Sequence, residues 1–244
     1  MTYSPILSLQ AVSRRFGSLV AVNKVSFDVR EGTITSLIGP NGAGKSTIFN
    51  LVTNYLSLTE GRVLLRGQRI DTLATEKIAH LGVARAFQIA RPFRGLTVHD
   101  NVKVGALFGR TGPREVELVI EDALQLTGLL HLAQAQASSL SIGHLRKLEL
   151  ARAVAARPTL LLADEPLAGL VPTESEEILA SFRALVARGT TVLLVEHDMV
   201  SVMKISDRVV VLDAGDLIAD GTPQDVVQDP RVISAYLGQE ALER

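Results

Sequence analysis

The segment Gly39-Pro-Asn-Gly-Ala-Gly-Lys-Ser46 constrains this chain most, because it lies between the apolar run Thr33–Ile38 and the apolar-periodic stretch Lys45–Thr53. It matches G-x-x-x-x-G-K-[ST] at every defined position, after a predicted buried strand and at the start of a predicted helix. Glycines let such a loop wrap tightly enough for its backbone N–H groups to converge. The N-terminus of the following helix adds partial positive charge. A loop of this kind binds a nucleoside triphosphate. Gly39, Pro40, Asn41, Gly42, Ala43 and Gly44 form the cradle, Lys45 reaches the β- and γ-phosphates, Ser46 holds Mg²⁺ and Thr47 assists at the phosphates. A glycine-rich turn that binds nothing is the competing reading, and the strand–loop–helix context weighs against it.

A second constellation lies downstream. Thr159-Leu-Leu-Leu-Ala-Asp-Glu-Pro166 reads as a buried strand ending in two adjacent carboxylates. Successive strand residues face opposite ways, so the two acids can do different work. Asp164 suits the Mg²⁺ shell, and Glu165, just past the strand, suits polarisation of an attacking water. Acids also cap strand ends for structural reasons, and only the phosphate loop turns this pair into a catalytic expectation. The run Thr191–Val195 leads into Glu196-His197-Asp198, where His197 reads either as a solvated histidine or as a group able to reach the γ-phosphate. Gln88, which closes the predicted strand Val83–Phe87, is by itself a loop glutamine.

The hydrophobic pattern predicts an α/β fold. Ile6–Val12, Leu19–Phe27 and Thr33–Ile38 read as strands, the early ones antiparallel, and Gly61 and Gly67 bracket another. Between Pro92 and Ser139 the period becomes helical, with Val98, Val102 and Leu107, then Val116, Val119, Ile120, Leu124 and Leu126, on either side of Gly109–Pro113. From Leu160 onward strands and helices alternate as parallel βαβ units require, and a hairpin closes around Gly215. The expected organisation is a core of residues 1–91 and 140–222 with a mostly parallel sheet and an N-terminal antiparallel region. A helical lobe over 92–139 is inserted into it, and a helical tail spans 223–244.

Composition sets limits. Lys+Arg 25 against Asp+Glu 26 gives a formal charge of -1, and so no electrostatic case for binding nucleic acid. Mean hydropathy is high at +0.25. No apolar run nears the ~18 residues of a membrane span, and Leu160–Ala163, Thr191–Val195 and Val209–Leu212 read instead as buried parallel strands. Without cysteine there is neither a disulfide nor a thiolate metal site. Met1–Pro5 lacks the charged-then-apolar pattern of a signal peptide, and the absence of cysteine fits a cytosolic protein.

Together with Ser139-Leu-Ser-Ile-Gly-His144, about twenty residues before the Asp-Glu pair, these motifs resemble the ATP-binding subunits of ABC transporters over nearly the whole chain. The resemblance implies an ATPase built on a P-loop NTPase core, using ATP and Mg²⁺. It implies that Ser141 and Gly143 bind the γ-phosphate held by a second ATPase subunit. It also implies that Phe16 stacks on adenine, Gln88 senses Mg²⁺ and the membrane partner, and His197 acts as the switch histidine. Three positions depart from the family pattern: Ile142 for glycine, His144 for glutamine, and Val171 for a helix-capping Asp or Asn. Losing that cap costs about 1 kcal/mol, and Thr173 with Glu176 has the spacing to restart the helix slightly later.

Gly82–Gln88, Arg91–Val98, Glu196–Met199, Ile205–Leu212 and the tail Gly221–Gly238 look like the ATPases of branched-chain amino acid importers. The tail is also similar to urea-importer ATPases and to the ATPase of lipopolysaccharide export. The resemblance implies two membrane-spanning permease subunits, a second ATPase in a homo- or heterodimer, and a periplasmic or extracellular binding protein, with this chain peripheral on the cytoplasmic face of the cell membrane. A groove for a permease helix is expected along Phe87–Leu96 with Val98 and Val102, where Ile89, Phe93 and Leu96 would sit awkwardly on a free surface. The competing reading folds these residues into the lobe's own core. An ABC-type ATPase of chromosome maintenance or DNA repair is disfavoured: about 95 residues separate Thr47 from Ile142, without sustained heptads.

Overall fold

Alternation over the first forty residues produces the expected antiparallel pair, β1 (Pro5–Phe16) and β2 (Leu19–Arg30). In β2, buried Val25, Phe27 and Val29 alternate with exposed neighbours, the period of a half-buried strand. The computed structural model describes residues 5–88, 91–110 and 112–240. After β2 follow β3 (Ile34–Ile38), α1 (Lys45–Val52), β4 (Glu60–Leu65), β5 (Gln68–Arg69), α2 (Thr75–His80), β6 (Val83–Ala86), α3 (Val98–Phe108), α4 (Val116–Leu126) and α5 (Ile142–Ala155). Then come β7 (Leu160–Asp164), α6 (Pro172–Ala187), β8 (Thr191–Val195), α7 (Met199–Ile205), β9 (Arg208–Asp213), β10 (Asp216–Gly221), α8 (Pro223–Gln228) and α9 (Pro230–Glu240). Among the described residues no helix is long and apolar enough to cross a membrane.

The chain divides into two units, Met1–Ile78 with Leu193–Arg244, and Ala79–Val192. The first holds an antiparallel sheet in the order β2-β1-β4-β5 and the strand run β10-β9-β3-β8. Within that run β9 is parallel to β3 and antiparallel to β10, the hairpin predicted around Gly215. All five residues of β3 are buried, which is why its sequence is continuously apolar or small rather than alternating. Ile38, Val202, Val209, Val211, Ala219, Val226 and Val232 form a core cluster that gathers α7, α8 and α9 around β9.

In the second unit β6 and β7 pair in parallel, Val83 opposite Leu160 through Ala86 opposite Ala163. That register brings the chain leaving β6 and the chain leaving β7 out at the same end. The helical lobe forms as the pattern predicts. Thr97 caps α3 by accepting the Asp100 N–H at 3.0 Å. In α4, Val116, Val119, Ile120, Ala123 and Leu124 make one buried stripe. One expectation fails here. Helix α6 starts at Pro172 directly after Val171, not later, because proline is pre-set for a first helical turn. Glu174, rather than the pair Thr173 and Glu176, supplies the terminal hydrogen bond by accepting the Val171 N–H at 3.2 Å.

Candidate nucleotide site

Phe16, the loop Gly39–Thr47 and His197 lie in the first unit, and Gln88, Ser141, Gly143, Asp164 and Glu165 lie in the second. Gly44 is the N-cap of α1 with φ 104°, and no side chain caps that helix, so its first-turn N–H groups face the loop. Lys45 is buried, and its Nζ donates to the carbonyls of Gly39 at 2.7 Å and Pro40 at 2.9 Å. Phosphate oxygens, as charged acceptors, bind an ammonium more strongly than carbonyls do. Ser46 beside it is exposed, and Thr47 is half-buried.

Phe16 ends β1 with 43% of its surface exposed, and the Arg14 guanidinium stands 4.5 Å from its ring centroid. His197 follows β8 on a turn fixed from both sides. Before it Glu196 is buried, and after it Asp198 caps α7 through the N–H groups of Val200 at 3.3 Å and Ser201 at 3.1 Å. The Ser201 hydroxyl, foremost, holds the Asp198 carboxyl below the usual carboxylate range. The His197 side chain is left projecting, 60% exposed.

Strand β7 is buried from end to end and ends at Asp164, with Glu165 the first residue beyond it. Asp164 Oδ2 accepts from Arg85 Nη2 of β6 at 2.6 Å, an ion pair with both side chains nearly buried. Its Oδ1 is buried and, among the described residues, has no hydrogen-bond partner. A buried carboxylate oxygen left this way fits a hard cation or its water shell. Glu165 takes a left-handed conformation, φ 46°, which costs a non-glycine residue about 1–2 kcal/mol. Backbone strain of this kind collects where a side chain is aimed. Here Glu165 Oε2 accepts from Gln88 Nε2 at 2.5 Å, uniting two residues that lie far apart in the sequence.

Ser141 caps α5, accepting the His144 N–H at 3.2 Å, with His144 Nδ1 also 3.2 Å from the same hydroxyl. His144 therefore takes a local partner in place of the family's glutamine, and its ring meets His131 edge-on. Gly143 is buried under Glu174: a Cβ there would lie 2.1 Å from Glu174 Oε1.

Phe87, Phe93 and Leu96 are exposed as expected of a docking groove, at 52%, 46% and 39%. Val98 and Val102 are not part of it. Both are fully buried, because the apolar stripe of α3 faces the lobe's core. Ile89 lies outside the described residues. Asn101, also buried, braces the segment by accepting from Phe93 N at 2.8 Å and donating to Phe93 O at 3.0 Å. Arg85, Glu149 and Glu174 escaped the sequence reading. Only Glu149 carried a signal, as the lone acid in the apolar stretch Leu148–Ala155.

The chain belongs to the ABC transporter family, whose model matches residues 22–168. Residues 217–241 match a second model, the branched-chain amino acid ATP-binding cassette transporter. Among curated relatives, the high-affinity branched-chain amino acid transport ATP-binding protein LivG of Salmonella typhimurium is 42% identical, over 96% of this chain and 98% of its own length. BraF of Pseudomonas aeruginosa, described in the same terms, is 41% identical over the same shares. A solved ATP-binding cassette in its ADP conformation superposes with TM-score 0.86 at 31% identity, covering 96% of this chain and 99% of that one. A dimeric cassette in a post-hydrolysis state with ADP and Pi superposes with TM-score 0.79 at 25% identity, covering 89% and 98%.

Proposed function

We propose that this chain hydrolyses ATP on the cytoplasmic face of the cell membrane to drive import of branched-chain amino acids. The observation that carries the reading is whole-length likeness to LivG, 42% identity over 96% of the chain, joined to the match of the tail over residues 217–241. Two membrane-spanning permease subunits, a second ATPase and an external binding protein complete the transporter. A urea or amide importer and a lipopolysaccharide-type exporter are the other readings, and the tail match favours branched-chain amino acids over both.

Each residue has a role that follows from its chemistry. Phe16 offers an accessible ring for adenine to stack on. Backbone N–H groups from Gly39 to Thr47 and the Lys45 ammonium cradle the phosphates. Among the described residues no three His, Cys, Asp or Glu side chains gather as a metal site. Mg²⁺ suits this poverty, since one carboxylate and phosphate oxygens suffice for it. Ser46, Gln88 and Asp164 would hold the ion, which when bound neutralises charge on the phosphate oxygens. Glu165, aimed by its backbone and steadied by Gln88, orients the attacking water and accepts its proton. His197 donates towards the γ-phosphate. Ser141 and Gly143 take the γ-phosphate bound to the partner ATPase, so hydrolysis requires a closed dimer. Phe87, Phe93 and Leu96 receive a permease helix.

The experiment is to tag the chain in its host, solubilise membranes gently and identify what co-purifies by mass spectrometry. Two polytopic membrane subunits with a second ATPase are the expected partners. Recovery with soluble nucleic-acid machinery instead would remove the transporter assignment.

A further inference from the structure

Glu149 lies on α5 two turns beyond Ser141 and Gly143, with only 8% of its surface exposed. A carboxylate is costly to bury without partners, and an apolar residue would complete this face of the helix at no such cost. Arg152 Nη1 donates to Glu149 Oε2 at 3.0 Å and to the carbonyl of Arg91 at 3.1 Å. The same guanidinium lies 5.1 Å from the centroid of the Phe93 ring. Burial pushes the Glu149 carboxyl up, opposed foremost by the Arg152 charge. The chain beyond Gln88 is thus tied to α5 through Arg152, while Gln88 reaches across to Glu165 at 2.5 Å.

We propose that Glu149 is a positioning residue for hydrolysis, holding Arg152 on the carbonyl of Arg91 so that the Gln88–Glu165 contact follows the position of α5. This rests on the roles given above to Gln88, Glu165 and the α5 N-terminus. The consequence is coupling between nucleotides. A phosphate of the partner's ATP captured at Ser141 and Gly143 sets where α5 stands, and through Glu149 that placement sets the geometry around Glu165 in this subunit.

A double-mutant cycle tests it, using the full chain in the complex it forms with its membrane partners and comparing Glu149→Gln, Gln88→Ala and the two combined. Glu149→Gln is expected to lower kcat about tenfold with KM changed by less than about twofold. The double variant should be no slower than Gln88→Ala alone, because both changes act through one contact. A residue that only holds the fold would leave kcat unchanged or multiply its effect with that of Gln88→Ala, and either result overturns the proposal. Glu149→Asp, which keeps the charge but withdraws it by one methylene, gives the same reading if the glutamine variant does not fold. Wild-type turnover in Gln88→Ala would instead overturn the role of Gln88 itself, whatever Glu149 does.

Discussion

Two glycines of the phosphate loop should respond very differently to a single added methyl group. In Gly39→Ala the new Cβ would lie 2.0 Å from the carbonyl oxygen of Leu212 and 3.2 Å from the Cβ of Ala43. Carbon and carbonyl oxygen need about 3.3 Å, so one backbone must move by more than an ångström. Leu212 cannot give way easily, being fully buried in β9 and paired with Leu217 of β10. The loop must shift, at about 1–3 kcal/mol for overpacking, with about 1–2 kcal/mol more for a Cβ at φ 147°. In Gly42→Ala nothing stands within 4 Å of the new atom, and only the positive φ of 81° is left to cost about 1–2 kcal/mol. For a chain of this size each kcal/mol is worth about 2–4 °C in Tm. Gly39→Ala should therefore lose roughly 4–20 °C and Gly42→Ala roughly 2–8 °C by differential scanning calorimetry without nucleotide. Equal losses in the two variants would refute the argument that Leu212 walls the loop.

Glu165→Gln should retain ATP binding, slow hydrolysis by about 10²–10⁴-fold and accumulate an ATP-dependent dimer on size exclusion; undiminished turnover would take Glu165 out of the reaction. Arg85→Ala strands the Asp164 carboxylate in a nearly buried site, a loss of about 3–5 kcal/mol for a broken buried pair. A thermal midpoint equal to wild type would contradict that. Asp198→Ala removes the cap of α7 and should cost about 1 kcal/mol at neutral pH. Because the folded carboxyl titrates below its ordinary range, the stabilisation is present above about pH 3.9 and is lost as pH falls through the folded value. Urea midpoints of the two proteins should therefore converge in acid, and a constant gap would rule out the charged cap.

Legibility followed the range of the interactions. The loop Gly39–Ser46, the cap Ser141 and the acids ending β7 were all readable, because each is made by neighbours along the chain. Helix α6 starts earlier than the pattern predicts, since Glu174 has the capping-box spacing but follows valine rather than the Ser or Thr that marks such a box. Val98 and Val102 read as apolar in sequence, and periodicity alone does not say whether a stripe faces the protein's own core or a partner.

By itself, then, the sequence determined which elements form and which chemistry each strand end and loop carries, because strand alternation, helix period and capping act over a few residues. It also sufficed for the family, since those local motifs recur in a set order. Tertiary structure alone decided that Arg85 neutralises Asp164, that Gln88 meets Glu165, and that Arg152 joins Glu149 of α5 to the carbonyl of Arg91. These pairings close only when strands and helices dozens of residues apart come into register. In a buried site, charges select one another by distance and desolvation, which leave no periodic mark on the chain.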